Sequence, residues 1–196
     1  MKPVTLTTER LLLRAFRPED AEAVHAACQD PDIQRWTTMP SPYAWEHARD
    51  FLERLVPAGR RSGHALDFAV LPRPGGPLLG AIGVREVSAG PARSAVWEIG
   101  FWTAKEHRGN GYTAEAVTAL ARWTFAEQGC RRLEWRAEVG NTGSRAVAER
   151  TGFRIEGVQR AGLLNQGTLR DCWVGALLPS DLGLPGPYPY LPARTD

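Results

Sequence analysis

A chain of 196 residues is long enough for one medium domain with a full core, and 43% hydrophobic with 23% charged residues is ordinary globular composition. A formal net charge of +2 speaks against a dedicated nucleic-acid binder, and no apolar run is long enough for a signal peptide or a membrane span. Three widely spaced cysteines, Cys28, Cys130 and Cys172, and four histidines without ligand spacing give neither a disulfide framework nor a metal site, and free thiols point to the cytoplasm.

The elements follow in chain order. Residues 5–14 suit a first strand. Pro18, Glu19 and Asp20 then suit a helix start, because proline fits the first helical position and carboxylates favour the positive helix end. Ala21, Val24, Ala27 and Cys28 recur at helical spacing, and Asp30-Pro31 is expected to end that helix. Residues 33–45 read as irregular, and residues 45–56 as a second helix that Pro57-Ala58-Gly59 stops. Residues 65–71 and 78–87 are apolar strands around a proline- and glycine-rich turn. Ala95–Thr103 is the next strand, with Gly100 marking a bulge or a close backbone approach. A long amphipathic helix follows from Thr113, and Gly129 ends it. Residues 133–139 alternate as a strand, residues 141–150 form a helix capped by Asn141 or Thr142, and a final strand pair includes residues 169–178. A domain over residues 1–180 is thus expected, with a Pro/Gly-rich tail at 181–196.

The segment Arg108-Gly109-Asn110-Gly111-Tyr112-Thr113 lies between a strand and a helix. Glycines let the backbone approach a ligand closely, and the free N–H groups and dipole of a helix N-terminus attract an anion, a pyrophosphate for example. Arg108 would add a charged contact. A tight turn alone would use the same glycines. No Gly-Lys-Ser/Thr follows, so the loop is not a Walker A motif, and it lacks the third glycine of a dinucleotide fingerprint.

That loop resembles the acetyl-CoA pyrophosphate loop of GNAT acetyltransferases, with Arg108 and Gly111 matching and Thr113 departing at the last position. Three more segments are similar to the RimJ/RimL-like branch: Thr8-Glu9-Arg10-Leu11-Leu12-Leu13-Arg14 with Pro18-Glu19-Asp20, then Glu98-Ile99-Gly100-Phe101-Trp102, then Asn141-Thr142-Gly143-Ser144 with Thr151-Gly152-Phe153. The resemblance spans about residues 5–178. It implies an α+β fold: a mixed, mostly antiparallel twisted sheet flanked by helices, in which two central parallel strands splay apart at a bulge. It also implies acetyl-CoA as cosubstrate, no metal, and an amine acceptor, and it allows a homodimer.

On the resemblance, Phe101, Trp102 and Thr103 line the pantetheine arm with their backbone, and Arg108, Gly109, Asn110, Gly111, Tyr112 and Thr113 hold the pyrophosphate. Asn141 contacts the cosubstrate or simply caps its helix. Glu98 is the candidate base, directly or through water, and Ser144 the candidate acid for the leaving sulfur. Trp36, Tyr43 and Trp45 fall where the family lines its acceptor side, although large aromatic residues also serve ordinary packing. Some RimL-like members carry a carboxylate at the place of residues 161–164, which here read Ala-Gly-Leu-Leu. Asp171 reads as structural. The expected activity is N-acetylation of a peptide N-terminus or a small-molecule amine; a non-catalytic acyl-CoA-binding sensor and a binder of another nucleotide are the rival readings.

Overall fold

The computed structural model describes residues 4–88 and 95–193, so the last three residues of the expected tail lie outside the described residues. Among the described residues eight strands form one sheet: β1 (Leu6–Thr7), β2 (Leu11–Ala15), β3 (Ala65–Pro72), β4 (Gly80–Ser88), β5 (Ala95–Thr103), β6 (Cys130–Glu138), β7 (Arg154–Asn165) and β8 (Thr168–Leu177). Their order is β1-β2-β3-β4-β5-β6-β8-β7. Among the described residues only β5 and β6 pair in parallel, and the crossover between them is the helix α5 (Tyr112–Glu127). This is the α+β architecture anticipated above.

Strand alternation divides the core in two. Leu66, Phe68 and Val70 of β3 point to one face, where Val117, Leu120 and Ala121 of α5 and Ala148 of α6 (Thr142–Arg150) cover them. Ala69 and Leu71 point to the other face, toward Val24 of α1 (Ala21–Ala27), Ile33 of α2 (Pro31–Trp36), Ala48 of α3 (Trp45–Asp50) and Val56 of α4 (Val56–Ser62). Leu120 and Leu133 are wholly enclosed, each worth roughly 1.5–3 kcal/mol of burial.

Three expectations need correction. The single strand over residues 5–14 is a hairpin, because Thr8 turns the chain: its hydroxyl accepts from the Leu11 N–H at 2.9 Å. Residues 33–45 are not wholly irregular. Asp30-Pro31 ends α1 and also starts α2, since Pro31 sits in its first turn and the Asp30 carboxylate accepts from the Asp32 N–H at 3.0 Å. Pro57 does not stop the second helix. A π-helical turn over Phe51–Leu55 widens the backbone just before the proline, whose ring would clash with the carbonyl four residues back, and the helix runs on to Gly63, which has φ 79°.

Beyond β8, a 3-10 turn at Pro179–Leu182 fastens the start of the tail. Arg122 donates to the Leu182 carbonyl at 3.2 Å, and Arg154 pairs with Asp181 at 3.0 Å.

Candidate active site

The parallel pairing of β5 and β6 runs from Ala95 opposite Cys130 to Ile99 opposite Trp135 and then stops. β5 continues along β4 as far as Thr103, while β6 continues along β8 as far as Glu138. A notch therefore opens in the middle of the sheet. The expected bulge at Gly100 is absent: Gly100 keeps regular register with Gly83, and a Cβ there would meet nothing within 4 Å. The close approach falls on Gly83 instead, where a Cβ would lie 2.4 Å from the Asp67 carboxylate. Gly100 contributes open space beside the notch.

At one end of the notch stands the N-terminus of α5. Gly109 and Gly111 take φ of 78° and 76°, a left-handed conformation that suits glycine. The first intrahelical bond runs from the Glu115 N–H to the Gly111 carbonyl at 3.1 Å, so the N–H groups of the preceding residues have no partner in the helix. The Asn110 side chain braces the loop by donating to the carbonyls of His107 and Arg108 at 3.2 and 3.1 Å. The hydroxyls of Thr103 and Thr113 are hydrogen-bonded, joining the end of β5 to the start of α5. Arg108 turns away toward α2: its guanidinium pairs with Asp30, reaches Asp32 at 3.2 Å and donates to the Thr103 carbonyl at 3.2 Å. It thus fixes the loop from behind, and the cation beside the loop is Arg10.

Arg10 was not singled out from the sequence. Its guanidinium donates to Glu115 at 2.7 Å and to the Asn110 carbonyl at 3.2 Å, and it lies 4.9 Å from the centre of the Tyr112 ring. The Thr8 hydroxyl and the Arg10 N–H also donate to Glu115. Burial alone would raise the Glu115 carboxyl, but these donors and the Arg10 charge hold it below its ordinary value. The Thr8-Glu9-Arg10 segment was the available signal; a partner more than a hundred residues away was not.

Glu98 and Ser144 flank the notch from opposite faces. Glu98 alternates with Trp97 and Ile99, which belong to the core under α5, so its carboxyl lies on the face of α1–α4. Burial pushes it above its ordinary value, against the pull of Arg85 and Arg136. On the other face, the Trp135 indole N–H donates to the Ser144 hydroxyl at 3.0 Å. Trp135 is the last β6 residue paired with β5, so this bond hangs Ser144 over the place where the strands part. Asn141 is the helix cap: its side-chain oxygen accepts from the Ser144 N–H at 3.1 Å and so orients the first turn of α6.

The three aromatic candidates do not come together. Trp36 stands against the end of β6, where a Cβ on Gly140 would lie 3.4 Å from its ring. Tyr43 is buried in the second core cluster, which pushes its hydroxyl pKa up. Trp45 is 41% exposed and meets His25 edge-on, with ring centres 5.6 Å apart. Phe101 packs toward the α5 core and Trp102 toward the second cluster, which fixes the backbone between them. The outer wall is polar: Arg35 of α2 grips Glu138 with two bonds of 2.7 Å, and Asn165 of β7 donates to the Arg35 carbonyl at 3.2 Å.

With fold and notch in view, comparison with known proteins assigns the class. The acetyltransferase (GNAT) domain family matches residues 10–154, and the chain belongs to that family as an acyltransferase. N-acetyltransferase p20 of Bacillus licheniformis, described as uncharacterized, is 28% identical over 174 residues, covering 89% of this chain and 96% of that protein. Mycobacterium smegmatis RimJ, solved in complex with CoA-disulfide, superposes with TM-score 0.79 at 26% identity, covering 92% of this chain and 88% of that one. A GNAT-family acetyltransferase from Bacillus anthracis gives TM-score 0.77 at 25% identity, covering 90% and 99%. The RimJ/RimL-like resemblance read from the sequence holds.

Proposed function

We propose that the protein transfers the acetyl group of acetyl-CoA to a primary amine, on a peptide or protein N-terminus or on a small molecule, by direct attack within a ternary complex. The observation that carries this reading is the notch with Glu98 on one face and Ser144 on the other, beside a helix N-terminus shaped for an anion. The two substrates can then approach from opposite sides of the sheet.

The residues fit the cosubstrate. Gly109, Gly111 and the free amides of the first turn of α5 suit a pyrophosphate, and backbone groups of residues 100–103, left without a β6 partner, suit the arm that threads the notch. Acetyl-CoA supplies an activated thioester. Glu98, ionised, takes a proton from the ammonium form of the acceptor, directly or through water, and so frees the attacking lone pair. A backbone N–H near Phe101 donates to the carbonyl oxygen as it gains charge. The carbon–nitrogen bond forms and the carbon–sulfur bond breaks. Ser144, its oxygen already occupied on one side by the Trp135 N–H, then donates its O–H to the departing sulfur and is reprotonated through water by the second proton that the attacking nitrogen sheds, while Glu98 returns its proton to solvent. A cysteine acyl-enzyme has no support: all three thiols are buried, and burial pushes Cys28 and Cys130 up to about 12. Free thiols in every case also support placing the protein in the cytoplasm.

Release of CoA thiol from acetyl-CoA across a panel of peptides and small amines tests the reading. Amine-dependent release supports it. Tight acetyl-CoA binding without release favours the non-catalytic sensor, and no binding of acetyl-CoA refutes both.

A further inference from the structure

The acceptor face of the notch carries two arginines whose Nε–H groups are buried with no hydrogen-bond acceptor among the described residues. Arg136 is the first β6 residue past the end of the parallel pairing, so it faces Gly100 across the gap on the same side as Glu98. Its guanidinium donates to the Gln159 side-chain oxygen and to the Gly162 carbonyl at 3.4 Å, both uncharged acceptors. Its Nε is buried and has no hydrogen-bond partner among the described residues. Arg170 of β8 lies further out on this face, since Arg136 opposes Val174 and Glu138 opposes Cys172. Its Nε is likewise buried without a hydrogen bond, and its nearest paired carboxylate, Glu138, stands 3.9 Å away and is already held by Arg35. A buried guanidinium donor without an acceptor is costly, and a planar anion with two oxygens is the chemistry that satisfies it.

From these donors we infer that the acceptor is a primary amine that also carries a carboxylate, held by Arg136 with Arg170 at the outer lip, while Glu98 receives the ammonium proton. A free amino acid or a peptide with an acidic residue next to its N-terminus supplies that chemistry. This rests on the acetyltransferase reading above and narrows its acceptor. The open volume beside Gly100 gives the amine its place between Glu98 and Arg136.

The test compares each acid with its own amide: glutamate with its diamide, and peptides with Glu or Gln at the second position. CoA release gives kcat/KM for each pair, and acetyl-CoA affinity is measured on the same protein. The carboxylate member should be favoured roughly ten- to hundredfold, the usual strength of charge-assisted hydrogen bonds. The free-acid pair and the peptide pair separate the two sources. Arg136→Gln should collapse the acid-to-amide ratio toward one, and Arg170→Gln, which removes no described hydrogen bond and only the 3.9 Å ion pair with a Glu138 that Arg35 still holds, should lower it even if the first variant folds poorly. Equal turnover of acid and amide, or an unchanged ratio in Arg170→Gln and in folded Arg136→Gln, overturns the inference while leaving the acetyltransferase intact. Failure to bind acetyl-CoA overturns both.

Discussion

Replacing Ser144 by alanine separates two effects that one side chain combines. The hydroxyl accepts from the indole N–H of Trp135, which is 1% exposed, at 3.0 Å. Its removal strands a buried donor, which costs about 1–3 kcal/mol. In a chain of this size that corresponds to a fall in Tm of about 2–12 °C. If the same hydroxyl protonates the leaving sulfur, Ser144→Ala also lowers kcat by about 10²-fold, the lower range for a positioned acid. Acetyl-CoA affinity should change little, because the anion site proposed above is on α5 and not α6. The assay is steady-state CoA release with both substrates saturating, alongside thermal unfolding and a binding isotherm. Ser144→Thr restores the hydroxyl and should recover most of the rate. Wild-type kcat in Ser144→Ala, with the Tm lowered as expected, would refute the acid role and leave Ser144 as a structural acceptor for Trp135.

Two further outcomes follow from the site. If Glu98 is the base, its active form is the carboxylate, so the rate should rise with pH through a pKa that burial has moved above the ordinary 4.5, and Glu98→Gln should flatten that limb and lower kcat/KM by about 10²- to 10⁴-fold; a pH profile the same in both proteins discards the assignment. Gly111→Glu forces a side chain into φ 76° and puts a negative charge at the helix end. That should weaken acetyl-CoA binding by at least about tenfold, and an unaltered Kd would remove the loop from the cosubstrate site.

Local chemistry made much of this fold readable. Ala95–Thr103 is a strand with the boundaries its composition suggested, and Asn141 caps α6 as its position before the helix implied. Ambiguity came from residues that signal two things at once. Asp30-Pro31 both closes one helix and opens the next, and Pro57 is tolerated because a π turn makes room for it. The parts of the site that stayed hidden depend on distant partners. Nothing next to Trp135 announces that its N–H meets Ser144, and nothing near Arg10 points to Glu115. Arg108 shows the converse: its motif suggested a phosphate contact, while Asp30 and Asp32, far away in sequence, engage its guanidinium.

The bond between Arg10 and Glu115 joins positions 105 apart in sequence. Closing so long a segment costs entropy that local helix formation cannot repay, so this clasp belongs to the slow, topology-limited part of folding. A chain emerging from the ribosome can form β1, β2 and their turn early, yet the anion loop gains its brace only after α5 has been made and docked. The loop is therefore completed late in synthesis. Shortening or fusing the first ten residues would be felt at this loop, although the two partners lie slightly more than half the chain's length apart.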